Sequence, residues 1–231
     1  MPVQEAVIPH QLESNLDLVA LAQTGTGKTA AYGLPLLQRL MEFSSTMSND
    51  TPSVARQPSA IILSPTRELC LQIADDLNSF AKYLPDVRIL AVYGGTDFMP
   101  QLRALRQGVD IIVATPGRLI DLMQRGAAVL DAVGTVILDE ADEMLSMGFS
   151  ESIDAILEGV PAEHTTLLFS ATMSREIERI AQHYLHDARQ IVVGSRNEGA
   201  ENVNHIYYMV HARDKYLALQ RIVDYYPKIY A

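Results

Sequence analysis

The chain alternates between two periodicities, and that alternation restricts its fold more than any other feature. Short β-branched and aliphatic runs at 18–22, 60–64, 88–93, 110–114, 135–139, 166–170 and 190–193 are separated by stretches with helical apolar spacing. Those stretches cover 29–41, 68–83, 101–107, 118–125, 150–159 and 175–184. Strand, helix and strand in succession read as βαβ units. The expected fold is α/β, a mostly parallel sheet with helices on both faces.

Two stretches interrupt the pattern. Residues 44–58 are rich in Ser, Thr and Pro and read as a surface loop, whereas 194–204 are rich in Gly and Asn and read as a linker. Beyond the linker, 205–211 alternate like a new strand, and 215–226 have helical spacing that ends before Pro227. The expected division is a domain over 1–194, a linker over 195–204, and the opening of a second domain over 205–231 whose remainder lies outside this chain. Tyr207-Tyr208 and Tyr225-Tyr226 are expected to pack in that second core rather than stack on bases.

With 48% hydrophobic and 20% charged residues, and no apolar stretch long enough for a bilayer, the sequence reads as globular and free of membrane spans. Met1-Pro2-Val3-Gln4 lacks the basic and apolar regions of a secretory signal. One cysteine, Cys70, rules out an internal disulfide framework, and the six histidines lack zinc-ligand spacing. A reducing cytoplasm and a monomer are expected, with Cys70 as a small packing residue. The net charge of -10 argues against broad nonspecific adhesion to nucleic acid, so any such binding must use a local groove.

The chemistry concentrates where apolar runs end. Ala22-Gln23-Thr24-Gly25-Thr26-Gly27-Lys28-Thr29 follows the first run and has the form of a phosphate loop, with Ala22 where the strict pattern has glycine. Gly25 and Gly27 allow a tight turn that points backbone N–H groups inward, and the helix that follows presents its positive end. Lys28 adds a charge for the phosphates and Thr29 a hydroxyl for magnesium. Asp139-Glu140-Ala141-Asp142 closes the run at 135–139. At the carboxyl end of a strand, Asp139 can hold magnesium through water, and Glu140 can orient or deprotonate an attacking water. Ser170 and Thr172, two apart in Ser-Ala-Thr, face one way if extended, so both hydroxyls are expected to bond Asp142.

These pieces together resemble the DEAD-box RNA helicase family, over nearly the whole chain and in the family's order; the spelling is nearest its bacterial cold-shock members. Besides A-Q-T-G-T-G-K-T, D-E-A-D and S-A-T, the chain carries P-T-R-E-L at 65–69, Gly94-Gly95, and T-P-G-R at 115–118, six motifs in all. The resemblance implies a RecA-like first domain, ATP with Mg2+, Gln4 hydrogen-bonded to adenine, and single-stranded RNA held by the last three motifs. Pro65, Thr66, Arg67, Gly94, Gly95, Thr115, Pro116, Gly117 and Arg118 are then the candidate RNA contacts. Helix amino ends, hydroxyls and a guanidinium suit a phosphate backbone, while the glycines allow its close approach. Taken singly, each Thr turn reads more readily as a helix cap than as an RNA contact, and Arg67 reads as a member of an internal network with Glu68.

In this family a second RecA-like domain supplies arginines to the γ-phosphate, and such a finger is worth about a thousandfold in rate. The chain is accordingly expected to bind nucleotide and hydrolyse it slowly as the ATP-binding half of an ATP-dependent RNA helicase. Two alternatives are a noncatalytic RNA-binding or adaptor module switched by nucleotide, and a DNA translocase of the same superfamily; D-E-A-D with P-T-R-E-L and T-P-G-R favours RNA.

Overall fold

The computed structural model describes residues 1–46, 56–84, 86–193 and 206–226, apart from the side chains of 43–46. Internal contacts divide the chain into Met1–Asn197 and Glu198–Ala231, and each unit is treated by itself.

In the first unit the apolar runs form β1 (Leu18–Leu21), β2 (Ala60–Leu63), β3 (Ile89–Val92), β4 (Ile111–Ala114), β5 (Thr135–Leu138), β6 (Thr165–Ser170) and β7 (Arg189–Val192). They make one sheet of seven strands in the order β3-β4-β2-β5-β6-β1-β7, and every pairing is parallel. Leu18 lies opposite Leu167 on one side and Arg189 on the other, which sets β1 between β6 and β7.

Side chains alternate across a strand, so each inner strand supplies two cores. Val19, Leu63, Ile112, Val136 and Leu138 face one side of the sheet; Leu18, Ile62, Val113, Ile137 and Phe169 face the other. Helices α1 (Pro2–Glu13), α2 (Lys28–Thr46) and α3 (Arg67–Phe80) cover the second face, and their buried residues include Val3, Val7, Tyr32, Leu36, Ile73 and Leu77. The first face is covered by α4 (Phe98–Gln107), α5 (Pro116–Gln124), α6 (Ala141–Ser146), α7 (Ser150–Glu158) and α8 (Arg175–Tyr184). Burying each such aliphatic side chain contributes about 1.5–3 kcal/mol, which is why the inner strands tolerate no polar face. At the amino ends of the strands, Asp17 is buried and accepts the N–H groups of Thr166 and His186 at 2.6 Å each. It ties the start of β1 to β6 and to the turn before β7.

Several elements depart from the sequence expectation. Helix α1 has no apolar stripe to announce it and carries Pro2 and Pro9; Pro2 occupies the first turn, where its missing N–H has no partner to lose. The loop expected at 44–58 is helical as far as Thr46, and residues 47–55 lie outside the described part.

In the second unit, the 3₁₀ turn Ala212–Asp214 leads into α9 (Lys215–Tyr225). The strand expected over 205–211 is not formed at 206–211, and residue 205 lies outside the described part, as does the linker expected over 195–204. Among its described residues this unit has no strand, and a lone segment has no partner with which to form a ladder. Within this unit Tyr207, Tyr208, Tyr225 and Tyr226 are all exposed, and the last two pack edge to face at 4.9 Å. Among the described residues no helix is long and apolar enough to cross a membrane.

Candidate active site

Because the strands are parallel, their carboxyl ends share one edge of the sheet, and the six motifs all lie in turns along it. Strand order sorts them into two groups. The turns after β5, β6 and β1 are neighbours, as are those after β3, β4 and β2.

On the β5–β6–β1 side, the phosphate loop turns through Gly25 at φ 79 and Gly27 at φ 83, a region that L side chains rarely adopt. At Gly25 a Cβ would meet nothing within 4 Å, so the crook of the loop is open; at Gly27 it would come within 2.6 Å of the Gln4 amide nitrogen. Gln4 donates to the Gly27 carbonyl at 3.2 Å, so α1 braces the loop from behind. The Thr26 hydroxyl donates to the Gln23 carbonyl at 2.7 Å and closes the turn.

Lys28 opens α2 and is 6% exposed. Its ammonium lies 3.4 Å from Asp139 Oδ1 and 3.9 Å from Glu140 Oε1, but makes no hydrogen bond of good geometry. A buried ammonium with donors unspent is a ready partner for an anion. Asp139 is also buried. Its Oδ1 accepts the Glu140 N–H at 3.0 Å, and its Oδ2 accepts the Tyr32 hydroxyl at 3.0 Å. Burial pushes the Asp139 carboxyl above the usual carboxylate range, against the pull of Lys28, and burial beside Asp139 holds the Tyr32 phenol well above its ordinary value.

Glu140 has φ 53 and ψ 51, a left-handed conformation that costs a non-glycine residue about 1–3 kcal/mol. The strain turns the chain sharply between β5 and α6 and sends the Glu140 carboxylate toward the phosphate loop, where Thr24 donates to Oε1 at 2.9 Å. Beyond it, Asp142 Oδ2 accepts both the backbone N–H and the hydroxyl of Thr172, each at 2.9 Å. The expected Ser170 bond to Asp142 does not form. Strand β6 ends at Ser170, so Ser-Ala-Thr is not extended and the two hydroxyls do not share a face; Ser170 instead donates to the Thr172 carbonyl at 2.7 Å.

On the β3–β4–β2 side the residues are more open. Pro65 is buried, and Thr66 caps α3 by accepting the Leu69 N–H at 3.2 Å, so its helix-cap reading holds. The exposed Arg67 stacks over the Tyr93 ring at 5.0 Å rather than pairing with Glu68. Gly94 and Gly95 are exposed; a Cβ on Gly94 would meet nothing within 4 Å, and Gly95 has φ 77. Thr115 starts α5 without spending its hydroxyl on a cap, Pro116 fills the first helical position, and Gly117 is open. Arg118 donates to Gln101 Oε1 and to the Thr96 carbonyl, each at 3.2 Å. Gln101 in turn donates to the Tyr93 carbonyl and the Thr96 hydroxyl at 3.1 Å each, so the glycine turn and α5 form one braced surface.

Sequence reasoning missed Tyr32, the Thr24–Glu140 bond and the Gln101 brace. Tyr32 had a visible signal: a tyrosine four residues after Lys28 lies on the same helical face. The Thr24–Glu140 bond depends on the order of strands distant in sequence, and the Gln101 brace on the pairing of β3 with β4.

The family model described as DEAD/DEAH box helicase matches residues 1–180. The chain is 43% identical over 223 residues to the DEAD-box ATP-dependent RNA helicase CshA of Bacillus licheniformis, covering 96% of this chain and 43% of that protein. It therefore spans less than half of that relative's length. Among solved structures it is similar to a DEAD box protein from the hyperthermophile Methanococcus jannaschii, with TM-score 0.71 and 37% identity over 96% of this chain and 56% of that one. It is also similar to the yeast DEAD-box splicing factor Prp28, with TM-score 0.77 and 32% identity over 96% of this chain and 52% of that one.

Proposed function

Because the chain belongs to the DEAD/DEAH box helicase family, we propose that Met1–Asn197 is the ATP-binding, RecA-like domain of an ATP-dependent RNA helicase and that Glu198–Ala231 begins a second one. The observation that carries this reading is the buried Lys28 ammonium, held between an open glycine loop and the Asp139 and Glu140 carboxylates without a well-formed hydrogen bond to either. Phosphate oxygens would satisfy it, with the backbone N–H groups of Gln23 to Thr29 and the amino end of α2 completing the cradle. Gln4, whose amide donates to the Gly27 carbonyl here, is the proposed reader of adenine, a role its paired amide donor and acceptor suit.

A magnesium ion fits the donor set. Asp139 and Thr29 offer hard oxygens. That suits an ion usually held by one or two carboxylates together with substrate phosphates. When bound, the ion neutralises charge on the phosphates. Glu140, aimed at the loop by its strained backbone, orients a water and takes its proton. Asp142 and Thr172 bridge the turns after β5 and β6, a route by which the nucleotide half can feel a change in the rest of the protein.

The RNA backbone is assigned to the other half of the edge. Gly94, Gly95 and Gly117 permit close approach, the uncapped amino end of α5 and the Thr115 hydroxyl offer donors, and Arg67 and Arg118 supply charge. Since these groups meet phosphates rather than base edges, little sequence preference is expected. The protein is placed in the cytoplasm as a monomer. The test is ATP hydrolysis with and without single-stranded RNA or DNA, in this chain and in a protein carrying both RecA-like domains. Stimulation by RNA alone in the longer protein supports the reading, and no stimulation in either favours a nucleotide-switched adaptor.

A further inference from the structure

The Asp139 carboxylate is held at both oxygens, and one of its holders comes from the helix that carries the phosphate-loop lysine. Lys28, Thr29 and Tyr32 are spaced so that one face of α2 presents all three. The Tyr32 ring is 1% exposed and is fixed by Phe169 at 5.2 Å between centroids, with the planes inclined at 57°. Its hydroxyl donates to Asp139 Oδ2 at 3.0 Å and also interacts with Thr29. One phenol therefore holds the carboxylate to which the proposed function gives the metal.

The two side chains that hold Asp139 differ in kind. Lys28 brings a positive charge, which competes with a cation for the same carboxylate and is drawn away when phosphates enter the loop. The phenol is neutral at working pH, so it orients the carboxylate and leaves the full negative charge for a cation. After Lys28 turns to phosphate, the Tyr32 hydroxyl and the Glu140 N–H remain as the anchors, one on each oxygen. Such partners of a ligating group fix its orientation, and losing one typically costs about 10–100-fold in metal affinity.

Resting on the nucleotide-site reading above, we propose that Tyr32 is a positioning residue, whose hydroxyl fixes the Asp139 carboxylate and sets how tightly the site takes Mg2+ together with nucleotide. The test compares the unaltered protein, Tyr32→Phe and Asp139→Ala by titrating a fluorescent ADP at graded Mg2+ concentrations, with chelator present for the metal-free baseline. Tyr32→Phe keeps the ring and its contact with Phe169. It is expected to raise the Mg2+ concentration at half-saturation about tenfold while leaving the metal-free affinity unchanged. An unchanged Mg2+ midpoint in Tyr32→Phe, beside a clear loss in Asp139→Ala, overturns the inference alone. Equal losses with and without Mg2+ in Tyr32→Phe also overturn it, since that pattern belongs to damaged packing. Unaltered Mg2+ dependence in Asp139→Ala would instead remove the metal from Asp139, and the nucleotide-site reading would fail first. Mn2+ uptake with ADP, followed by electron paramagnetic resonance, gives a second readout without turnover, and Tyr32→Phe is expected to leave more Mn2+ free.

Discussion

The two halves of the sheet's carboxyl edge are built from the same parts and finished differently. Around β5, β6 and β1 the polar groups converge: Lys28 lies within ion-pair distance of Asp139 and Glu140, Tyr32 bonds Asp139, and Lys28, Tyr32 and Asp139 are all buried. Around β3, β4 and β2 the turns face outward, with open glycines and arginines stacked or braced rather than paired with acids. A small, highly charged ligand that needs each oxygen met calls for the first arrangement. A long backbone that passes over a surface calls for the second. On the proposed function, a chain of net charge -10 meets a polyanion where cationic groups face outward locally.

Mutations on either half test that contrast. The largest effect is expected from Glu140→Gln, which keeps shape but loses the base: single-turnover ATP hydrolysis should fall by about a hundredfold or more with nucleotide affinity unchanged. Equal hydrolysis would remove Glu140 from the chemistry. Lys28→Ala follows. It removes the buried charge that meets phosphate and leaves Asp139 uncompensated, so nucleotide affinity should drop by roughly a hundredfold, about 3 kcal/mol, in an equilibrium titration. RNA affinity measured without nucleotide should not change. Arg118→Ala is the converse. Losing its charge and its brace on Gln101 and Thr96 should weaken single-stranded RNA about tenfold, with nucleotide binding unaffected.

The finest distinction lies within the open half. Thr66 spends its hydroxyl on the α3 cap, and Thr115 at α5 does not. Thr66→Ala should therefore lower unfolding stability by about 1 kcal/mol in a denaturant titration, whereas Thr115→Ala should stay within about 0.5 kcal/mol and show its effect in RNA binding instead. If the two cost the same stability, they do not differ in role as their hydrogen bonds indicate.

The parallel sheet was legible because strands buried on both faces must be apolar throughout, and stretches such as 60–63 and 111–114 are. The motifs were legible because their chemistry is local: glycines, lysine and threonine within one turn, or two carboxylates at one strand end. Strand order was not legible, and with it went every contact that depends on which turns become neighbours, including Thr24 with Glu140 and Arg118 with Gln101. Ser170 shows the opposite error. The two-residue spacing was correct for a strand, but the strand ends at Ser170 itself. Helix α1 was hidden because two prolines and a weak apolar pattern mask a segment that folds through its packing on α2.

The most direct test of the divided edge is a backbone amide NMR map of this chain with two ligands added in turn, Mg2+–ADP and a short single-stranded oligouridylate. The account predicts that the nucleotide shifts Gln23 to Thr29, Asp139 to Asp142 and Thr172, and that the RNA shifts Thr66, Arg67, Gly94, Gly95, Gly117 and Arg118. Nucleotide shifts centred on the turns after β3 and β4, or RNA shifts centred on the phosphate loop, would contradict it.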